Sequence, residues 1–140
     1  MFHQLAYTSS STSYDVTAFI DEDLPFIKER NCSIGVSGIL LFADGTFLQV
    51  LEGEEATVRS LYEKIARDPR HKGVKIVLER EAKRRSFPDW AMGWRHIGVD
   101  HPLADEITKF ASTDGIVAHS GWVNGKVLDV VDRYFRVNWG

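Results

Sequence analysis

Two apolar runs, Val36 to Phe42 and Phe47 to Gly53, are separated by little more than Asp44-Gly45, and this pairing constrains the fold more than any other feature of the chain. Asp-Gly favours a two-residue type I′ turn, whose twist matches that of antiparallel strands, so the runs read as a β-hairpin. With Asp44 and Gly45 at the centre of the turn, Phe42 opposes Phe47 and Leu40 opposes Gln49. The second run is apolar on both faces, as a central strand must be, yet Gln49 lies between Phe47 and Leu51 on one of them. A buried amide without partners costs roughly 1 to 3 kcal/mol. Gln49 therefore requires polar neighbours, and a bound polar ligand is one source of them.

The rest of the chain supplies a sheet and two helices around that hairpin. Phe2 to Ser9 reads as a first strand with Leu5, Tyr7 and Ser9 on one face, followed by a Ser/Thr-rich loop. Val16, Phe19, Ile20, Leu24 and Ile27 fall at helical spacing, but Pro25 lacks a backbone donor and crowds the preceding turn, which predicts a kink or a broken start in a helix ending near Asn31. Glu54 and Glu55 suit the positive end of a second helix, in which Val58, Leu61, Tyr62 and Ile65 form one stripe before Asp68-Pro69 interrupts it. Val74 to Leu78 gives a fourth strand and Ala91 to Val99 a fifth. The order strand, helix, strand, strand, helix, strand, strand predicts an α+β sandwich of the ferredoxin-like type, a mixed five-stranded sheet with both helices on one face. Weak and stronger helical stripes at Leu103 to Phe110 and Val127 to Phe135 are expected to cover the other face. This divides the chain into a domain over residues 1–100 and a helical extension of the same domain over residues 101–140.

Composition closes off several functions. With 44% hydrophobic and 26% charged residues, the 140-residue chain fits one globular domain. No stretch approaches the ~20 apolar residues of a spanning helix, and the N-terminus lacks the pattern of a signal peptide, so the cytoplasm is the expected location. The net charge of −3 gives no general attraction to nucleic acid. One cysteine, Cys32, leaves no internal disulfide, and the five histidines show no zinc-ligand spacing. Glu52 reads as a general base or, more simply, as a solvated carboxylate at a strand end. Cys32, at a helix end, reads as structural before it reads as a nucleophile.

What remains is a group of polar and redox-capable side chains in apolar settings: Tyr7, Asn31, Gln49, Trp90 and Met92. Singly, Tyr7, Trp90 and Met92 read as core filler and Asn31 equally as a helix C-cap. Together they read differently, because adjacent strands could bring Tyr7 beside Gln49. Two amides, each a donor and an acceptor, suit a heterocycle with alternating carbonyl and N–H groups.

These residues sit in a pattern that resembles the BLUF domain, a family of FAD-binding blue-light sensors. The resemblance covers about the first 100 residues. It is carried by Tyr7-Thr8-Ser9, by Asn31 with Gly35-Val36-Ser37-Gly38-Ile39-Leu40-Leu41, and by Phe47-Leu48-Gln49-Val50-Leu51-Glu52-Gly53. Leu61-Tyr62-Glu63-Lys64-Ile65, Asp68-Pro69-Arg70-His71 and Phe87-Pro88-Asp89-Trp90-Ala91-Met92-Gly93 complete it. Val36 and Ser37 stand where Ile and Thr are more usual in the family, and Pro25 is less expected there.

The resemblance implies a ferredoxin-like fold with the flavin ring between the two helices, and a photoreceptor without turnover. Tyr7 would be the electron and proton donor, and Gln49 the amide that relays the proton and rearranges. Asn31 would hold the pyrimidine edge of the ring. Arg70 and His71 would lie by its C2 carbonyl and neighbouring edge, with Ser9, Leu40 and Phe47 as pocket wall. Trp90 and Met92 would pass the amide's state on through the fifth strand to the C-terminal helices and then to a separate signalling protein, a homodimer interface, or both. Two alternatives remain: a ferredoxin-like interaction module without photochemistry, and a small hydrolase akin to acylphosphatase. The second lacks an arginine in the loop from Ser10 to Ser13.

Overall fold

A computed structural model of the chain describes residues 1–10, 19–43, 45–68, 72–85, 87 and 91–97. Five strands form one sheet: β1 (Phe2–Ser10), β2 (Ser37–Ala43), β3 (Thr46–Gly53), β4 (Lys72–Ala82) and β5 (Gly93–Ile97), in the spatial order β4-β1-β3-β2-β5. All neighbours are antiparallel except β2 and β5. The sheet is therefore mixed, and β3 is its centre, as its two apolar faces require; every residue of β3 is buried. Two helices, α1 (Leu24–Ser33) and α2 (Glu55–Arg67), complete an α+β sandwich.

The hairpin holds the register read from its turn. Phe42 pairs with Phe47 and Leu40 with Gln49, and Gly45 has a φ of 76°, the left-handed conformation that a type I′ turn demands. Within β2, Gly38 is obligatory for a steric reason: a Cβ there would lie 1.9 Å from the Val50 carbonyl oxygen across the pair. β4 is longer than the sequence pattern indicates. Its outer residues are largely exposed; Val77 and Leu78 are buried, and Val74 and Ile76 pack partly buried against the core.

Pro25 lies in the first turn of α1, where its missing N–H would have had no helical partner. A single π-helical turn over Phe19–Asp23 leads into it, so the helix starts anew at the proline, as a broken start. The helix runs two residues past Asn31. It is terminated by Gly35 at φ 71°, with Gly35 N–H bonded to Cys32 O at 3.3 Å and Val36 N–H to Asn31 O at 2.9 Å. Asn31 is thus a fully buried residue of the last turn and not the C-cap. In α2, Val58 and Leu61 are buried, and Tyr62 and Ile65 pack partly buried beside them.

The core between sheet and helices joins Leu5, Tyr7, Leu40, Phe42, Phe47 and Leu51 from the strands to Leu24, Val58 and Leu61 from the helices. Each such aliphatic side chain contributes about 1.5 to 3 kcal/mol by leaving water. On the other face Ala6, Ile39, Leu41, Leu48 and Val50 are equally inaccessible, each at 0% exposure. The helical stripes expected over residues 101–140 lie outside the described residues.

Candidate functional site

The β1–β3 register sets Tyr7 directly across from Gln49, and the helix-facing side of the sheet buries both. The Tyr7 hydroxyl donates to Gln49 Oε1. From the other end of the amide, Nε2 donates to Met92 Sδ at 3.5 Å, a weak thioether acceptor. The second N–H of Gln49 has no acceptor among the described residues. Tyr62 of α2 packs edge-on against Tyr7, with ring centroids 5.6 Å apart.

Burial dominates the chemistry of Tyr7. It pushes the phenol far above its ordinary range, Tyr62 adds to the effect, and only the Arg30 guanidinium opposes it. A phenol so placed stays neutral at physiological pH. It gives up its proton readily only after losing an electron, since an oxidised phenol is a strong acid.

Asn31 extends the polar line from α1. Its Nδ2 donates to Ala91 O at 2.9 Å, and its Oδ1 accepts from Arg30 Nε at 3.3 Å and Nη2 at 3.2 Å. Ala91 and Met92 are neighbours, so one short piece of chain answers both buried amides. Ser9, Leu40 and Phe47 are buried, with Ser9 paired to Phe47 across β1 and β3, and Phe47 4.8 Å from Phe42 between ring centroids. Arg70, His71 and Trp90 lie outside the described residues. Met92, just before β5 begins, is in contact with Gln49.

Two residues escape a reading of the sequence. Arg30 sits in the last turn of α1, where a cation ordinarily reads as a partner of the helix dipole; its guanidinium nevertheless turns toward Asn31, and burial lowers its pKa. Glu52 corrects the expectation of a solvated carboxylate. It is 0% exposed and accepts bonds from Gln4 Nε2 at 3.0 Å, Ser37 Oγ at 3.0 Å and Phe87 N–H at 2.6 Å. It lies on the sheet face away from Gln49, so it is no base for that site. Cys32 is exposed, and no group of three potential metal ligands occurs among the described residues. No helix among them is long and apolar enough to cross a membrane.

Comparison with known proteins fits this arrangement. The sequence model of the BLUF family, described as sensors of blue-light using FAD, matches residues 2–93. The photoactivated adenylate cyclase subunit alpha of Euglena gracilis is 38% identical over 108 residues, covering 76% of this chain and 10% of that protein. The blue light- and temperature-regulated antirepressor BluF of Escherichia coli K12 is 36% identical over 87 residues, covering 62% of this chain and 22% of that protein. The chain therefore spans only a small part of these curated relatives. Among solved structures, the ground state of BlsA superposes with a TM-score of 0.65 at 31% identity, covering 69% of this chain and 66% of that one. The sequence match over residues 2–93 and the shared fold place this chain in the BLUF family of flavin-based blue-light sensors.

Proposed function

We propose that this chain binds FAD non-covalently and signals by a light-driven rearrangement of the hydrogen bonds around Gln49. The observation that carries the reading is the continuous line Tyr7 to Gln49 to Met92, in which a redox-capable phenol, a reversible amide and a weak acceptor follow one another in a buried setting. The donor set suits a flavin edge. Gln49 has an N–H to give, Asn31 stands at the same end of the core, and Ser9, Leu40 and Phe47 offer wall. Arg70 and His71 are assigned to the C2 carbonyl side by resemblance.

Bound and excited by blue light, FAD supplies a one-electron oxidant. Tyr7 would give up an electron to it and then its phenolic proton to Gln49 Oε1, already bonded to that hydroxyl, and Gln49 would pass a proton on to the flavin. When electron and proton return to Tyr7, the amide of Gln49 is left with its two ends answering different partners. Its shape is unchanged by that exchange, so the core does not repack. A stronger hydrogen bond from Gln49 to the bound flavin would shift its absorption slightly to the red. Trp90 and Met92 sense the new amide state, and the segment from Leu103 to Phe135 passes it to a signalling protein or to a homodimer contact in the cytoplasm. In this reading residues 1–100 are the sensor and residues 101–140 its output.

A visible spectrum of the purified chain before and after blue light tests the reading. A flavin spectrum that moves a few nanometres to the red and recovers in the dark is expected; colourless protein that cannot be reconstituted with FAD overturns it. One observation favours a ligand-free interaction module instead: both buried amides already have protein partners, Gln49 in Tyr7 and Met92, Asn31 in Ala91 and Arg30. The same spectrum separates the two. Hydrogen exchange that is identical in light and dark over residues 101–140 would remove the proposed output path.

A further inference from the structure

The chain between β4 and β5 leaves one edge of the sheet and returns at the other, because β1, β3 and β2 lie between them. That is a traverse of roughly 19 Å at a strand spacing of about 4.8 Å. It is made at the end of the sheet where β4 pairs with Phe2 and where Glu52 faces Ser37. Three side chains fix its course. Arg85 reaches Gly35 O at 2.7 Å, Ser37 Oγ at 2.8 Å and Glu52 O at 3.2 Å, and its guanidinium stacks 4.6 Å from the Phe2 ring centre. Phe87 buries its ring and donates its N–H to Glu52 Oε1 at 2.6 Å. Glu52 is itself held by Ser37 and by Gln4, whose own Oε1 accepts from Arg80 Nε at 2.9 Å.

The far end of this traverse is the piece that touches the site. Ala91 O takes the Asn31 amide, and Met92 Sδ takes the Gln49 amide. A buried carboxylate at the end of the central strand thus holds the backbone at Phe87, a short stretch of chain before the sulfur on which Gln49 rests. Its bonds are charge-assisted and about twice as strong as neutral ones, whereas the contact it positions is among the weakest in the core.

We propose that Glu52 is a positioning residue for the light response: by holding Phe87 N–H, it sets how closely Met92 and Ala91 approach Gln49 and Asn31, and so how long the light-rearranged amide survives. The second half of this statement rests on the photocycle proposed above; the first half concerns the chain alone.

E52Q tests both halves. With Oε1 kept on Ser37 and Phe87, the new amide nitrogen meets Gln4 Nε2, donor against donor. Turning Gln4 over only moves the conflict to Arg80. The swap variant Q4E/E52Q removes it, since a carboxylate at position 4 accepts from both Arg80 and the new amide. In the FAD-loaded full chain, E52Q is expected to change the dark-recovery rate by at least about threefold and to move the Met92 methyl resonance in the dark. The swap variant should return both toward wild type.

Lower thermal stability of E52Q with an unchanged recovery rate and an unchanged Met92 resonance would reduce Glu52 to a fold-stabilising residue and overturn the proposal. So would a swap variant that restores the melting temperature but neither of the other readouts. If wild type shows no light-induced difference at all, the photocycle reading is what fails, and the Met92 resonance alone decides whether Glu52 positions it. Should E52Q not fold, S37A keeps the Phe87 bond while removing one support of the carboxylate. It must then move the same resonance by a smaller amount, and no movement overturns the proposal.

Discussion

Gln4 and Gln49 are the same residue buried to nearly the same degree, at 0% and 4% exposure, on neighbouring strands of one sheet. They face opposite sides and have opposite partners. The Gln4 amide is clamped between a carboxylate and a guanidinium, Glu52 and Arg80. Turning it over would break two charge-assisted bonds at once and set like against like. The Gln49 amide rests between a neutral phenol and a thioether. Turning it over keeps a bond to the phenol, which both donates and accepts, and gives up only the weak bond to the thioether, which has no proton to offer in return. Burial alone makes neither residue a switch. Partners without charge leave Gln49 free to change state, and partners with charge make Gln4 a strut.

The largest expected effect follows from that difference. Gln49→Leu should abolish the light-induced absorption shift altogether, yet cost little stability, about 1 kcal/mol, because only the Tyr7 hydroxyl loses its acceptor. An intact photocycle in this variant would break the assignment of Gln49 as relay. Gln4→Leu should do the reverse. It leaves a buried carboxylate and a guanidinium each short of a partner, so chemical denaturation should show a loss of roughly 2 to 4 kcal/mol while the absorption shift persists. If the two variants gave similar losses, the distinction between strut and switch would be wrong.

Met92→Leu sharpens the comparison on a smaller scale. The two side chains are close in volume, so stability should change by less than about 1.5 kcal/mol. The sulfur acceptor is gone, however, and one amide N–H of Gln49 loses its resting place. The dark-state spectrum and the recovery rate should move while the light-induced shift itself remains, which a pair of difference spectra would show. An unchanged recovery rate would mean that the contact of Gln49 with Met92 has no hold on the amide.

Much of this is legible in the sequence, and the reasons are local. Asp44-Gly45 names the turn type, the turn type fixes the register, and the register puts Leu40 opposite Gln49. The face alternation of β1 then brings Tyr7 to Gln49 once β1 and β3 are neighbours. Glu52 is misread because none of its partners is near it in the chain. Gln4, Ser37 and Phe87 lie 48, 15 and 35 residues away, and a carboxylate beside a glycine at a strand end carries no sign that they converge. Arg30 is hidden for a related reason: a cation in the last turn of a helix already has an adequate local explanation. A buried Gln49 does call for partners, but the protein itself provides two, so the case for a ligand comes from the family and from the amide's remaining N–H.

Tyr7 gives the smallest effect and the cleanest sign. Its burial, with Tyr62 beside it, holds the phenol neutral well above its ordinary pKa of 10.0 despite the opposing charge of Arg30. Below pH ~10 the phenol is protonated in both folded and unfolded chains, so it adds no pH dependence. Above that value the unfolded chain releases the proton and the folded chain keeps it. Folding stability must therefore fall as pH rises, by up to about 1.4 kcal/mol per pH unit from this one group. Lysines and the other tyrosines titrate in the same range, so the comparison that isolates Tyr7 is with Tyr7→Phe. Urea midpoints measured at about pH 9 and about pH 11 should converge for the two proteins as pH rises, because only wild type carries the Tyr7 share of the slope. Parallel slopes would mean that the Tyr7 hydroxyl is open to ionisation in the folded state, and a phenol that ionises freely is not the sealed donor that the Gln49 relay requires.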